Sequence, residues 1–295
     1  MLAVRLGIWY IWGMKLWNVD RIRGLKGCGR LPCVTAYDFV SARLADEAGF
    51  PLLLAGDSLG TTVLGYASTI PVTLDVMLHH TAAVARGTRD ALVVADMPFL
   101  SYQVSVAEGI RNAGRLLQEA GADAVKIEGG AFRSELVSAL TLNGIPVLGH
   151  IGLTPQSVNQ LGGYKVQGRT QAAAEQLVAD ARALEAAGAF ALVLECVPPD
   201  LGEAVTAAVQ IPVVGIGAGP GCDGQILVAH DLLGLSLAPP PKFVKPYAAL
   251  ADAVRVALGA YKMDVEAGRF PGPDQCYAQG TAEHPISNRE HPISK

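Results

Sequence analysis

Short apolar runs recur along the chain from residue 32 to residue 216. Seven of them, each rich in Val, Ile and Leu, are predicted to be strands, at 32–37, 52–55, 91–95, 124–127, 146–149, 191–194 and 211–216. The runs are continuously apolar rather than alternating, which is typical of parallel strands buried on both faces. The pattern therefore favours an α/β fold built around a parallel sheet.

Segments with helical periodicity separate these runs. The clearest lie at 41–48, 73–85, 105–120 and 172–187, and a glycine follows each of them: Gly49, Gly87, Gly121 and Gly188. Glycine just past a helix end adopts the left-handed conformation that closes many helices, so we expect that role for all four. Strand and helix thus alternate along the chain.

Eight such units close a (β/α)₈ TIM barrel, the predicted architecture. We expect the eighth strand within 235–243, where Pro239, Pro240 and Pro241 obscure it, and a helix at 248–268 that packs on the outside of the barrel. An open doubly wound sheet is the rival arrangement. The absence of a Gly-x-Gly-x-x-Gly turn after the first strand weakens that rival.

The barrel is expected to span 16–272 as one catalytic domain. Residues 1–15 are apolar and aromatic and are predicted to be a non-native or flexible extension, with Met14 as the hypothetical biological start. Residues 273–295 are polar and lack periodicity, and they repeat His-Pro-Ile-Ser at 284–287 and 291–294. This composition predicts a disordered tail.

Composition and charge exclude several classes of partner. The net charge of −4, with no local Lys/Arg cluster, does not favour nucleic-acid binding. The apolar segment 1–17 is interrupted by Arg5 and Lys15 and is too short and too charged to span a membrane, so no membrane span is expected. Five cysteines, an odd number without tightly spaced pairs, favour reduced thiols over disulfides or a zinc site. A cytoplasmic protein acting on small molecules is the expectation.

Polar residues follow or end five of the predicted strands. They are Asp57, Asp96, Lys126, Glu128, His150 and Glu195. In a barrel the carboxyl ends of the strands meet at one mouth, so these side chains are expected to converge. Three carboxylates in one place repel each other unless a cation joins them, and hard oxygen ligands favour Mg²⁺ over Zn²⁺. We therefore predict a magnesium site formed by Asp57, Asp96 and Glu128.

The remaining polar residues suit chemistry on a 2-oxo acid. Ser58 and Lys126 are placed to bind the carboxylate of such a substrate, and negative charge on its ketone oxygen would be stabilised in the same site. Apolar neighbours are expected to raise the pKa of Glu195 towards that of a general base. His150 has two open interpretations, a hydrogen-bonding group in the site or a packed core imidazole.

The motifs of this chain resemble those of the ketopantoate hydroxymethyltransferase family. The resemblance covers about 16–272 and rests on segments that occur in the family's order: 35–38, 56–60, 96–99, 125–130, 149–156, 162–168, 194–198, 215–219 and 223–227. It implies a Mg²⁺-dependent (β/α)₈ barrel that moves a one-carbon unit from 5,10-methylenetetrahydrofolate to 3-methyl-2-oxobutanoate. The product would be 2-dehydropantoate, a precursor in pantothenate biosynthesis.

The resemblance also implies roles for single residues. Asp57 and Asp96 would bind the metal and contact the substrate, and Glu128 would be a further acid of the metal site. Ser58 and Lys126 would bind the 2-oxo acid, and Glu195 would accept the proton. A cytoplasmic homo-oligomer, commonly a decamer, is implied as well.

Two alternative functions remain open at this point. A metal-dependent 2-oxo acid lyase of the related phosphoenolpyruvate mutase and isocitrate lyase superfamily would share the barrel, although no lyase loop of the Lys-Lys-Cys-Gly-His kind is present. A non-catalytic binder of phosphorylated ligands would use the glycine-rich segment 215–219 after the seventh strand.

Overall fold

Eight parallel strands form a closed barrel in the computed structural model, which describes residues 15–28 and 30–277. The strands are β1 Leu31–Thr35, β2 Leu52–Ala55, β3 Leu92–Asp96, β4 Ala124–Glu128, β5 Val147–Gly152, β6 Ala191–Glu195, β7 Val213–Ile216 and β8 Gly224–Leu227. Each strand pairs with the next one in sequence, and β8 pairs with β1. The predicted barrel is confirmed, and the open doubly wound sheet is excluded.

Helices connect the strands. They are α1 Val19–Arg23, α2 Phe39–Glu47, α3 Leu59–Thr62, α4 Leu74–Gly87, α5 Val106–Gln118, α6 Ser134–Leu142, α7 Val158–Leu161, α8 Gln171–Ala186, α9 Pro199–Ala208, α10 Ala229–Leu232 and α11 Leu250–Glu266. Side chains of Asp38, Thr73, Ser105 and Thr170 accept backbone N–H bonds at the starts of α2, α4, α5 and α8. Such caps satisfy donors that have no partner inside the helix.

The strands are buried on both faces, which explains their continuous apolar runs. Along β2, Leu52 and Leu54 belong to one apolar cluster, while Leu53 belongs to another that includes residues of α2 and α4. Successive side chains of a strand point to opposite faces, so both faces need apolar residues. The strand ends are therefore the natural places for polar groups.

The predicted position of the eighth strand is wrong. The strand is Gly224–Leu227, paired with β1 through Leu31 and Gly224, and residues 235–243 contain no strand. A side chain at position 224 would not fit, because a Cβ there would lie 2.2 Å from the carbonyl oxygen of Leu31. Close backbone approach requires glycine here, which weakens the apolar signal of an already short strand.

Three of the four predicted glycine caps are confirmed. Gly49, Gly121 and Gly188 have positive φ angles of 85°, 73° and 101°. Gly87 is instead the last residue of α4, where a Cβ would lie 2.6 Å from the carbonyl oxygen of Phe39. At Gly87 glycine thus permits close packing of α4 on α2 rather than a left-handed turn.

The described residues after Ala248, residues 249–277, belong to a separate compact unit. Its helix α11 lies within the predicted 248–268, and none of the helix residues is buried. Packing of this helix on the barrel stays a prediction, as do the proposed domain bounds. The proposed extension, except for Lys15, and the tail from residue 278 lie outside the described residues.

Among the described residues, no helix has both the length and the apolar character needed to cross a membrane. All five cysteines lie in the described part of the chain, and each is a free thiol.

Candidate active site

The carboxyl ends of β2 to β6 bring the predicted polar residues together. Asp57 follows β2 by two residues, whereas the others lie in the strands themselves: Asp96 ends β3, Lys126 and Glu128 belong to β4, His150 to β5, and Glu195 ends β6. The strand register sets Asp96 opposite Lys126 and Glu128 opposite His150. Neighbouring strands thus place carboxylates, an imidazole and an ammonium group side by side.

The ammonium group of Lys126 lies at the centre of the cluster. Its Nζ is 2.9 Å from Oδ1 of Asp96 and 3.6 Å from Oε1 of Glu128. Burial alone would lower the pKa of Lys126, but the charges of Asp96, Glu128 and Asp57 raise it above its ordinary value. Lys126 is therefore a permanent cation among these acids. Lys126 and Glu128 are two residues apart on β4 and point to the same side of the strand.

Two neighbouring carboxyls have pKa values above those of exposed acids. Burial, followed by the charges of Asp96 and Glu128, raises the pKa of Asp57 well above its usual range. Burial likewise raises the pKa of Glu128 to about 7, although Lys126 opposes the shift. The single ammonium group does not fully compensate for three buried acids, so the cluster has room for more positive charge.

His150 links Lys126 to Glu195. Its Nδ1 lies 3.0 Å from Nζ of Lys126, and its Nε2 lies 3.1 Å from Oε2 of Glu195. Burial, followed by the charge of Lys126, lowers the pKa of His150 well below its ordinary value, so the ring is neutral. Because an ammonium group only donates, we assign the ring proton to Nε2, facing Glu195. The imidazole is buried, yet both nitrogens belong to the site.

Glu195 lies on the opposite side of His150 from Lys126, with a side chain that is 14% exposed. Burial is the main cause that raises the pKa of Glu195 to about 8, and the charges of Asp57 and Asp96 add to it. The predicted direction of this shift is confirmed. Its backbone approaches β5 so closely that a Cβ on Gly152 would lie 2.3 Å from the Glu195 carbonyl oxygen.

Two further residues complete the polar cluster, and the sequence prediction did not include them. The side chain of Gln156 donates to Oδ2 of Asp57 at 2.9 Å, and its backbone N–H donates to Oε2 of Glu128 at 3.0 Å. The Tyr102 hydroxyl donates to Oε1 of Gln156 at 2.8 Å. Two sequence features could have indicated Gln156. It follows the end of β5 by four residues, and it ends the segment 149–156, which resembles a motif of the family.

Ser58 lies beside the cluster rather than in its centre. Its hydroxyl is 2.8 Å from that of Tyr37, and the Tyr37 carbonyl oxygen is 2.6 Å from Nδ1 of His80. A Cβ on Gly56 would lie 2.8 Å from Oγ of Ser58 and 3.5 Å from Oδ2 of Asp96, so both groups border the space above Gly56. Ser58 therefore faces the same mouth as Asp96.

The donor set suits a hard divalent cation. Oδ1 of Asp96 and Oε1 of Glu128 are buried and face the Lys126 ammonium group, at 2.9 and 3.6 Å, and each carboxylate keeps acceptor capacity for a cation. Within residues 15–28 and 30–277, no three His, Cys, Asp or Glu side chains are already arranged as a metal cage. Mg²⁺ usually binds through one or two protein carboxylates, with water or substrate completing its shell. The residues present thus fit such an ion in donor chemistry.

Comparisons with known proteins agree on one family. The model of the family described as ketopantoate hydroxymethyltransferase matches residues 17–273. A protein of Moorella thermoacetica named 3-methyl-2-oxobutanoate hydroxymethyltransferase is 58% identical over 261 residues, which cover 88% of this chain and 97% of the relative. A protein of the same name from Syntrophus aciditrophicus is 56% identical and covers 87% and 94%.

The solved structures that resemble the chain share its fold at low sequence identity. A crystal structure of 2,3-dimethylmalate lyase, a PEP mutase/isocitrate lyase superfamily member, has a TM-score of 0.57 and 22% identity. The match covers 88% of this chain and 91% of the lyase. The barrel is therefore of the kind found in that superfamily.

Proposed function

This chain belongs to the ketopantoate hydroxymethyltransferase family, and we propose that it transfers a hydroxymethyl group from 5,10-methylenetetrahydrofolate to 3-methyl-2-oxobutanoate. Water supplies the hydroxyl oxygen, and the products are tetrahydrofolate and 2-dehydropantoate, a precursor in pantothenate biosynthesis. The observation that carries this proposal is the agreement with relatives of that name along nearly their whole length. The site then has to remove a proton from C3 of the oxo acid and present the resulting carbanion to the one-carbon donor.

Lys126 and Ser58 bind the oxo acid in this proposal. Lys126 is charged and buried at the centre of the cluster, so it donates to a substrate oxygen without first changing its protonation state. A charge-assisted hydrogen bond in a site shielded from water is strong, and it strengthens as negative charge grows on the ketone oxygen. The Ser58 hydroxyl, held by Tyr37, supplies a second polar contact.

Glu195 is the proposed base. Burial raises the pKa of its carboxyl to about 8, which makes the carboxylate more basic than an exposed glutamate. In its ionised form it takes the C3 proton, and Nε2 of His150 lies 3.1 Å from the accepting carboxylate. His150 therefore lies between Lys126, the group that stabilises developing charge, and Glu195, the group that removes the proton.

The proposed metal is Mg²⁺, held by Asp57 and Asp96 with Glu128 as a further acid of the site. When bound, it supplies Lewis-acid stabilisation of negative charge on the 2-oxo acid. Support comes from the three buried carboxyls of Asp57, Asp96 and Glu128, which share the single buried ammonium group of Lys126. The carboxyls of Asp57 and Glu128, whose pKa values burial raises, would ionise more readily next to such an ion.

The proposed assembly is a cytoplasmic homo-oligomer, as the family resemblance implies. Helix α11 has an apolar stripe, Leu250, Val254, Leu258, Tyr261 and Val265 at helical spacing, that another copy of the chain would cover in this proposal. Large apolar stripes left uncovered are typical of interaction surfaces.

Product formation tests the proposal. The purified chain, given 3-methyl-2-oxobutanoate and 5,10-methylenetetrahydrofolate, should form 2-dehydropantoate, detected by mass spectrometry, with Mg²⁺ and not with excess chelator. Product that forms equally well under chelation would contradict the metal site while leaving the reaction intact. A folded chain that forms no product under either condition would contradict the proposed reaction and favour a lyase or a non-catalytic binder on the same barrel.

A further inference from the structure

The side-chain amide of Gln156 has a complete set of hydrogen bonds. Its Nε2 donates to Oδ2 of Asp57 and to the carbonyl oxygen of Met97, both at 2.9 Å. Its Oε1 accepts from the Tyr102 hydroxyl at 2.8 Å and from Nε2 of Gln103 at 3.2 Å. Two acceptors face the nitrogen and two donors face the oxygen, so the amide has one satisfied orientation. The residue is 5% exposed.

Each acid of the proposed cation site has one oxygen held by an N–H group. The Gln156 side chain holds Oδ2 of Asp57, the Gln156 backbone holds Oε2 of Glu128, and the backbone of Asp57 holds Oδ2 of Asp96 at 2.9 Å. Gln156 thus supplies two of the three donors. The other oxygens of Asp96 and Glu128 face the ammonium group of Lys126, at 2.9 and 3.6 Å.

We propose that Gln156 is a positioning residue for the divalent cation, which it does not touch itself. The terminal torsion of a carboxylate is broad, so an Asp or Glu whose two oxygens are both free samples many orientations. A fixed donor on one oxygen restricts that torsion and leaves the second oxygen directed at the ion. Partners of this kind around metal ligands strongly affect affinity. The inference rests on the proposed cation site.

Replacing Gln156 with Met tests this role directly. Methionine has nearly the same length and volume, and the variant keeps the backbone N–H that binds Glu128, so only the amide bonds to Asp57 and its neighbours are lost. Mn²⁺ is the spectroscopic probe, titrated against the full chain and followed by its electron paramagnetic resonance signal, with Mg²⁺ calorimetry as a second readout. We expect metal affinity to fall about 10- to 100-fold.

Gln171→Met is the matched control. Gln171 also donates to a carboxylate, Oε1 of Glu175 at 2.7 Å, but the pair is exposed on α8. This variant should bind Mn²⁺ as tightly as the parent chain. Thermal unfolding of all the proteins in the absence of metal shows whether a change in affinity reflects loss of fold.

Tyr102→Phe gives an independent variant in case Gln156→Met does not fold. It keeps the buried ring and removes one donor that holds the Gln156 amide, so we expect a smaller loss, about two- to ten-fold. A parent chain that binds no Mn²⁺ would refute the proposed cation site itself. A parent that binds Mn²⁺, together with a folded Gln156→Met variant of equal affinity, would overturn the role of Gln156 alone. If that variant is unfolded, unchanged affinity in Tyr102→Phe would overturn it.

Discussion

Lys126 is the residue on which the electrostatics of the mouth depend. Its ammonium group, together with Asp96, Glu128 and His150, forms a network in which every side chain is at most 5% exposed. Removing one partner of a buried ion pair leaves the other charge uncompensated, which is more costly than losing an exposed pair.

We therefore expect Lys126→Met to destabilise the metal-free protein by about 3–5 kcal/mol. Urea denaturation measures this change, and added Mg²⁺ should restore part of the lost stability because it supplies positive charge to the same acids. Lys262→Met is the control, since Lys262 pairs with Glu266 on an exposed helix face. Equal effects of the two substitutions would contradict the central position given to Lys126.

Glu195 should make the stability of the metal-free protein depend on pH. Its folded pKa of about 8 lies above the ordinary 4.5, so the folded state retains a proton that the unfolded state releases between these values. Stability from this group is fully present below about pH 4.5 and is lost as the pH rises towards 8.

Glu195→Gln removes that titration. The free energy of unfolding of the variant minus that of the parent chain should be larger at pH 8.5 than at pH 5, by on the order of 2–4 kcal/mol. Chemical denaturation of both proteins at the two pH values gives the measurement. A parent and variant whose stabilities run parallel across the range would show that the carboxyl is not buried as described.

At the scale of single residues, residue type and position predicted the charged groups of the candidate site but not the uncharged side chains that hydrogen-bond to them. Asp57, Asp96, Lys126, Glu128 and Glu195 stand at or near strand ends, where barrel topology brings them together. Gln156 and Tyr102 come from connecting segments, whose course depends on tertiary packing rather than on a local pattern. A glutamine in a loop has no sequence feature that distinguishes a buried bridge from an exposed side chain.

The elements themselves are positioned by polar groups as well as by apolar packing. Asp46 on α2 is buried, and its carboxylate accepts the backbone N–H groups of Arg89, Asp90 and Ala91. These residues lead into β3, the strand that ends in Asp96. One side chain thus anchors the start of a strand that carries a proposed metal ligand.

Asp46→Ala is expected to destabilise the fold by about 2–4 kcal/mol, because three backbone donors lose a charged acceptor in a buried position. Thermal and urea unfolding would measure the loss, with Asp252→Ala on an exposed helix face as the control. A change below about 0.5 kcal/mol, typical of surface substitutions, would contradict an anchoring role for Asp46.

Periodicity predicted seven of the eight strands and missed β8. Strands β2 to β6 combine several apolar residues with a following helix, so the alternation was clear. Strand β8 has only four residues, including Gly224 and the exposed Gln225, and its pairing with β1 closes the barrel over a large sequence separation. No local pattern records such a pairing, and for that reason the strand was expected in the wrong segment.

At the scale of the whole molecule, the repeated strand–helix units were sufficient to predict a closed barrel, since eight parallel units have few other ways to bury both faces of their strands. The assembly of copies was predicted from family resemblance alone. The exposed apolar stripe on α11, formed by Leu250, Val254, Leu258, Tyr261 and Val265, gives that prediction a physical reason.

Light scattering after size-exclusion chromatography tests the assembly. The mass should be a multiple of 30.8 kDa, with ten copies expected from the family. Val254→Asp combined with Leu258→Asp places charge in the stripe and should lower the mass, because buried unpaired carboxylates are unfavourable. A parent chain that elutes as a 30.8 kDa monomer would contradict the homo-oligomer.

Hydrogen exchange at C3 of 3-methyl-2-oxobutanoate tests the central claim most directly, namely that the strand ends assemble a site in which Glu195 removes this proton. In D₂O with Mg²⁺ and no folate, proton NMR should show the C3 signal disappearing at a rate proportional to the concentration of the parent chain. Glu195→Gln should slow the exchange on the order of 10²- to 10⁴-fold, whereas Glu119→Gln, an exposed acid on the helix side, should not. Exchange in a folded Glu195→Gln protein at the parent rate would contradict the account.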